Sequence, residues 1–159
     1  MPEGTSMRFR SRLNEIPLDA KIKIGEIPFQ KGMLASHRKK MAIDILKEYN
    51  HGSRVLFHCF SGSVEFMREC VKQGWYIALG GVVTFKNAQK MKDVACDVPL
   101  DKLVLETDSP YLTPVPYRGK PNTPAYVSYV AQEIAKLREM SLDELVNITT
   151  ENAERFFDI

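Results

Sequence analysis

No stretch of this chain approaches the roughly 18 consecutive apolar residues of a membrane span, and its first residues carry no apolar run of the kind a secretory signal needs. Neither membrane residence nor export is expected, and the cytoplasm is the expected location. Cysteine is scarce: Cys59, Cys70 and Cys96 form no CxxC pair, and their odd number suits reduced thiols better than a disulfide framework. The net charge is only +2, with ten Lys/Arg against six Asp/Glu in the first 50 residues and twelve against fourteen thereafter. Such a gradient is too shallow to identify a nucleic-acid partner by itself. Histidine is limited to His37, His51 and His58, which restricts any metal site, and neither a repeat nor a low-complexity tract is present. What is there, 44% apolar and 26% charged residues over 159 positions, describes one soluble globular domain able to bury a core.

From Val55 onward, short β-rich runs alternate with segments of helical period, the rhythm of βα units. Arg54 to Phe60 reads as a strand, Ser61-Gly62-Ser63 as a turn, and Val64 to Gln73 as a helix stopped by Gly74. Trp75 to Leu79 is a second strand ending at Gly80-Gly81, Asn87 to Ala95 a helix, and Lys102 to Glu106 a third strand. These runs are nearly continuous in apolar residues, which predicts burial on both faces. Thr123-Pro124 predicts an N-cap and first position for a helix with Val127, Val130, Ala131, Ile134 and Leu137 on its apolar side. Ser141 with Glu144 predicts a capping box for the next helix. Ahead of both helices, between Ser109 and Pro124, Pro110, Pro114, Pro116, Pro121 and Pro124 mark an ordered loop. Upstream the signal is poorer, with a strand-like Ala20 to Glu26 and a helix over Lys40 to Tyr49.

In a parallel sheet, ligands bind at the carboxyl ends of the strands. Three such ends carry polar residues: Glu26, His58 and Asp108. One imidazole with two carboxylates is a workable donor set for a divalent cation. Each also has a plainer reading. His58 would serve as a hydrogen-bonded core histidine, Asp108 would organise a turn through its own backbone, and Glu26 would start a loop. Glu106 lies two residues before Asp108, so it either supports a ligand or caps the turn. Arg118 and Lys120 sit on the proline-rich loop, as phosphate contacts or as solvated charges. Cys59 reads as a small core hydrophobe, Trp75 as a packing residue and His51 as a loop residue.

Taken together, His58-Cys-Phe-Ser-Gly-Ser63, Gly80-Gly81, Leu105-Glu-Thr-Asp-Ser-Pro-Tyr-Leu112, Arg118-Gly-Lys-Pro-Asn122 and Thr149-Thr-Glu-Asn-Ala-Glu-Arg-Phe-Phe157 closely resemble the TatD family of metal-dependent hydrolases, in the same order and spacing. The resemblance covers residues 54–157, and 1–50 match poorly. It implies a (β/α) TIM-type barrel hydrolase with divalent metal cations (Mg, Mn or Zn) at the C-terminal mouth, acting on phosphodiester bonds of DNA. By motif, His58 resembles a metal-binding histidine, and Asp108 resembles the aspartate that binds metal beside the attacking water. Ile24-Gly-Glu26-Ile resembles the start of the motif whose glutamate bridges metals, and His37 would stand in for a further ligand histidine. Arg118 and Lys120 would bind substrate.

The chain departs from that family by having no His-x-His pair, so two ligands are absent, and by being shorter than the roughly 250 residues of a full barrel. A partial barrel lacking its first strands is therefore expected. Its exposed edge would invite self-association, which a compact monomer in a sedimentation run would contradict. Two functions follow: a weakened metal-dependent deoxyribonuclease, or a non-catalytic remnant that keeps at most one metal or phosphate site.

Overall fold

The computed structural model describes residues 35–50 and 52–159, with side chains from Lys40 onward; Glu26 and His51 lie outside the described residues. The chain forms two compact units, 1–53 and 54–159. In the first unit, helix α1 spans Ala35–Tyr49. It starts five residues earlier than the sequence pattern predicts, because Ala35, Arg38 and Lys39 are good helix formers and extend the run. His37 consequently sits in the first turn of a helix and not at a strand end.

The second unit runs β1 (Leu56–Phe57), α2 (Val64–Lys72), β2 (Tyr76–Leu79), α3 (Gln89–Asp97), β3 (Leu103–Leu105), α4 (Val127–Leu137) and α5 (Leu142–Phe157). The three strands form a parallel sheet in the order β1-β2-β3. Leu56 pairs with Tyr76, and Leu79 pairs with Leu105. Parallel neighbours need a crossover, and α2 and α3 supply the two required here.

Helix α2 begins where Ser63 Oγ accepts the Phe66 N–H at 3.3 Å and stops before Gly74, whose φ of +79° is costly for other residues. Its Met67 and Cys70 are fully buried. In α4, Val130, Ala131, Ile134 and Ala135 form the buried stripe; in α5, Leu145, Thr149 and Asn152 do so at i, i+4 and i+7. Strand β2 is buried throughout. Tyr76 and Ala78 on one face pack with Val104, and Leu56, Ala153 and Phe156 lie against that cluster. Ile77 and Leu79, on the other face, are equally inaccessible. Trp75 is 4% exposed, in keeping with a packing role. Among the described residues no helix is long and apolar enough to cross a membrane.

Two local expectations need correction, and one short element leaves no sequence pattern. The strand predicted over residues 54–60 is confined to Leu56–Phe57, because His58 leaves the ladder and Cys59 turns into the left-handed region at φ 48°. Gly80-Gly81 leads directly into a 3-10 turn over Gly81–Thr84, an element too short to leave a periodic signal. Thr123 makes no side-chain cap; a 3-10 turn over Pro124–Tyr126 precedes α4 instead. Ser141 does cap α5, its Oγ accepting the Glu144 N–H at 3.1 Å.

Asn152 ties α5 to the entry of β3. It is 1% exposed, and its Nδ2 donates to Leu100 O at 2.6 Å and Leu103 O at 2.8 Å. Asn152→Ala leaves both carbonyls buried without that donor, so a loss of about 2–4 kcal/mol is expected in a urea melt. A loss under about 1 kcal/mol would mean that the two carbonyls find other partners.

Candidate metal centre

Because the strands are parallel, their carboxyl ends lie along one edge of the sheet. His58 follows the last residue of β1, Gly80-Gly81 follow β2, and Glu106 and Asp108 follow β3. The ladder extends just past the strands, with Glu106 N–H donating to Leu79 O at 3.1 Å and Phe60 N–H to Ala78 O at 3.3 Å. These bonds fix the starting points of the segments that carry the polar residues.

His58 Nδ1 lies 3.1 Å from Glu106 Oε2 and 3.5 Å from Asp108 Oδ1. The other Glu106 oxygen, Oε1, accepts the Cys59 N–H at 2.6 Å. Glu106 is therefore committed through both oxygens to the His58-Cys59 segment. With Nδ1 directed at Glu106, Nε2 is the imidazole nitrogen left for another partner, the arrangement in which a carboxylate orients a metal-binding histidine. The two carboxylates are mostly enclosed, at 16% and 13% side-chain exposure, whereas the His58 side chain is 46% exposed.

Asp108 adopts φ 55°, a backbone conformation uncommon for residues other than glycine. Its turn is organised by its neighbours: Thr107 Oγ1 accepts from Ser109 N at 3.4 Å and Ser109 Oγ at 3.1 Å, and the Tyr111 N–H donates to Asp108 O at 2.8 Å. The Asp108 carboxylate faces His58, Cys59 and Gly80. The turn-organising reading of that side chain is thus replaced by one in which Thr107 supplies the local bonds. Gly80 makes room for the carboxylates. A Cβ there would lie 3.1 Å from Asp108 Oδ2 and 3.3 Å from Glu106 Cγ.

Desolvation, followed by the charge of Asp108, raises the Glu106 pKa above its ordinary value, opposed by the Cys59 N–H and by His58. The Cys59 thiol is pushed up to about 12 by desolvation, then by Asp108 and Glu106. Cys59 is exposed as a residue and stands beside the carboxylates, so its expected place in the core is corrected. Its backbone serves the site while its thiol stays protonated at neutral pH.

One ligand atom from each of His58, Glu106 and Asp108 lies within 4.8 Å of the others. An imidazole nitrogen and two carboxylates whose mutual repulsion is only partly relieved fit a single divalent cation. Of the residues singled out in the sequence, His58 and Asp108 are brought together, with Glu106 joining them. Glu26 and the side chain of His37 fall outside the described residues. Arg118 and Lys120 are exposed on the proline-rich loop; the Arg118 guanidinium lies 3.8 Å from the Phe85 ring centroid, and Lys120 Nζ 5.6 Å from that of Tyr117. The importance of Gly80 and Asn122 depends on what the fold sets beside them, which their types alone do not reveal.

A parallel α/β sheet with a histidine-carboxylate cluster at its strand ends defines the class: part of a (β/α) TIM-type barrel with a metal-binding type of donor set. The family described as TatD related DNase matches residues 35–158, and the chain belongs to it. A Bacillus subtilis relative named uncharacterized metal-dependent hydrolase YabD is 56% identical over 104 residues, covering 65% of this chain and 41% of the relative. The Escherichia coli K12 protein YcfH, named in the same way, is 47% identical over 104 residues, covering 65% and 39%. The crystal structure of the TatD homologue YJJV from Escherichia coli superposes with a TM-score of 0.71 at 30% identity, over 76% of this chain and 47% of that one. This chain thus spans about two fifths of the length of these curated relatives.

Proposed function

We propose that His58 and Asp108, with Glu106 orienting the imidazole, bind one divalent cation, Mg²⁺, Mn²⁺ or Zn²⁺, and that the chain carries part of the site for hydrolysing phosphodiester bonds of DNA. The single observation that carries the reading is the convergence of these three side chains within 4.8 Å at the carboxyl edge of the sheet. His58 and Asp108 are the ligands in this reading, and Glu106 orients the imidazole. Glu26 and His37 are the proposed additional ligands. A bound cation in such a site polarises the phosphoryl oxygen and lowers the pKa of water. Asp108 is the proposed catalytic carboxylate, placed to accept a proton from the attacking water. Arg118 and Lys120 would hold the phosphate chain by charge and, for Arg118, by its planar donor fork.

The competing reading, a non-catalytic remnant with one metal or phosphate site, draws support from the size of the donor set among the described residues. Three donors in a 4.8 Å cluster suit one ion, whereas two-metal hydrolysis holds the attacking and leaving oxygens between a pair of ions. Slow hydrolysis is therefore expected. Cleavage of single-stranded DNA by the full chain, followed with added Mg²⁺ or Mn²⁺, separates the readings: weak, chelator-sensitive cleavage lost in Asp108→Ala supports the enzyme, and metal binding without cleavage supports the remnant. Rapid turnover would mean that the donor set is larger than proposed. The three free cysteines suit a reducing compartment, and the cytoplasm is the proposed location. Self-association is an expectation drawn from the sequence's strand count alone.

A further inference from the structure

We infer that Asn122 is a positioning residue that fastens the loop bearing Arg118 and Lys120 to the turn bearing Asp108, so that one buried amide sets both the metal ligand and the basic loop. The functional meaning of this link rests on the proposed cation site. Asn122 is 5% exposed. Its Nδ2 donates to Thr107 O at 2.6 Å and to Tyr111 O at 2.7 Å, carbonyls that bracket Asp108 in sequence. Its backbone N–H donates to Pro110 O at 3.0 Å, and its Oδ1 accepts the Thr123 N–H at 2.9 Å. Three of these four bonds go to the segment 107–111.

That segment needs outside donors. The ladder ends with the Glu106 N–H, Pro110 and Pro121 have no N–H to give, and enclosed carbonyls without partners are costly. Asp108 holds its left-handed backbone only where its surroundings over-determine it, and Asn122 supplies a large part of that constraint. A primary amide suits the task because it offers two N–H donors and one acceptor at a single carbon. Aspartate would set oxygen against two carbonyl oxygens. A second stitch lies two residues past that turn, with Thr113 Oγ1 donating to Lys120 O at 2.5 Å, while Lys120 N–H donates to Tyr117 O at 3.1 Å. The basic loop is thus tied to residues 107–113 on both sides of Pro121.

The test compares the full chain with Asn122→Ala, Asn122→Asp and Arg118→Ala by amide hydrogen exchange in the metal-free protein, by calorimetry with Mn²⁺, and by polarisation of a labelled single-stranded oligonucleotide. In both Asn122 variants the Tyr111 and Lys120 amides are expected to exchange faster together, by about tenfold or more, while β2 and α4 keep their protection. Mn²⁺ affinity is expected to fall about 10–100-fold, the effect typical of removing an outer partner of a metal ligand. Oligonucleotide binding weakens as well. Arg118→Ala is expected to weaken only the oligonucleotide. Faster exchange confined to residues 121–124, loss of protection throughout the chain, or unchanged Mn²⁺ affinity beside a metal-binding wild type would overturn the inference. If the wild type binds no Mn²⁺, the cation reading fails, and the paired exchange of Tyr111 and Lys120 alone decides the positioning role.

Discussion

Replacing Asp108 by alanine is expected to remove measurable Mn²⁺ binding in calorimetry, whereas Glu106→Gln weakens it only about 10–100-fold. The difference follows from what each carboxylate touches. Both Glu106 oxygens are already engaged, one by the Cys59 N–H at 2.6 Å and one by His58 Nδ1 at 3.1 Å. Its substitution by the isosteric amide disturbs the orientation of the imidazole but leaves Asp108 and His58 in place. Asp108 stands farther from Nδ1, at 3.5 Å, and its second oxygen lies against the open face of Gly80. That carboxylate, which also meets the Cys59 thiol, is the less committed of the two, so alanine removes a ligand and a charge together. Equal affinities for the two variants would make Glu106 as much a ligand as Asp108, and a larger loss in Glu106→Gln would reverse the assignment.

Gly81→Ala is expected to be the most destabilising single-methyl addition in the second unit, costing about 3 kcal/mol or more and lowering the melting temperature by about 6 °C or more. A Cβ at Gly81 would overlap Leu112 O and approach Pro114 N at 3.1 Å. Both obstacles are backbone, so no rotamer change relieves them. They also belong to the chain that leaves the Asp108 turn, where Leu112 itself has φ 52°. Gly119→Ala tests a different property, since nothing lies within 4 Å of a Cβ there and only its φ of +84° opposes the change. Thermal melts of the two variants separate crowding from backbone strain. A Gly81→Ala protein within about 1 kcal/mol of wild type would show that the 112–114 segment moves aside without cost.

How much of this was legible in the sequence depended on the range of the interactions involved. Strand β2 could be placed because aromatic and aliphatic residues run unbroken between Gly74 and Gly80. The α5 start could be placed because Ser141 and Glu144 are local partners. The end of β1 could not, since His58 and Cys59 have the composition of a strand yet are pulled out of it by Glu106, 48 and 47 residues away. His58 and Asp108 were singled out by motif; their meeting depends on the parallel register of the two outer strands against β2. Asn122 ends a loop motif whose composition does not reveal its task, because its work is done on carbonyls 11 and 15 residues upstream. Arg138 was equally silent, although it closes the C-terminal end of α3 by donating to Ala95 O and Val98 O.

In the proposed reading a divalent cation binds at the carboxyl edge of the sheet, between His58 and Asp108. Its most direct test is a titration of the isotope-labelled full chain with substoichiometric Mn²⁺, following paramagnetic broadening residue by residue. The expected first losses are the His58 ring and the amides of Cys59, Gly80 and Asp108, with the Glu144 and Glu151 amides of α5 unaffected. Broadening spread over surface carboxylates, with the His58 ring left sharp, would contradict the account.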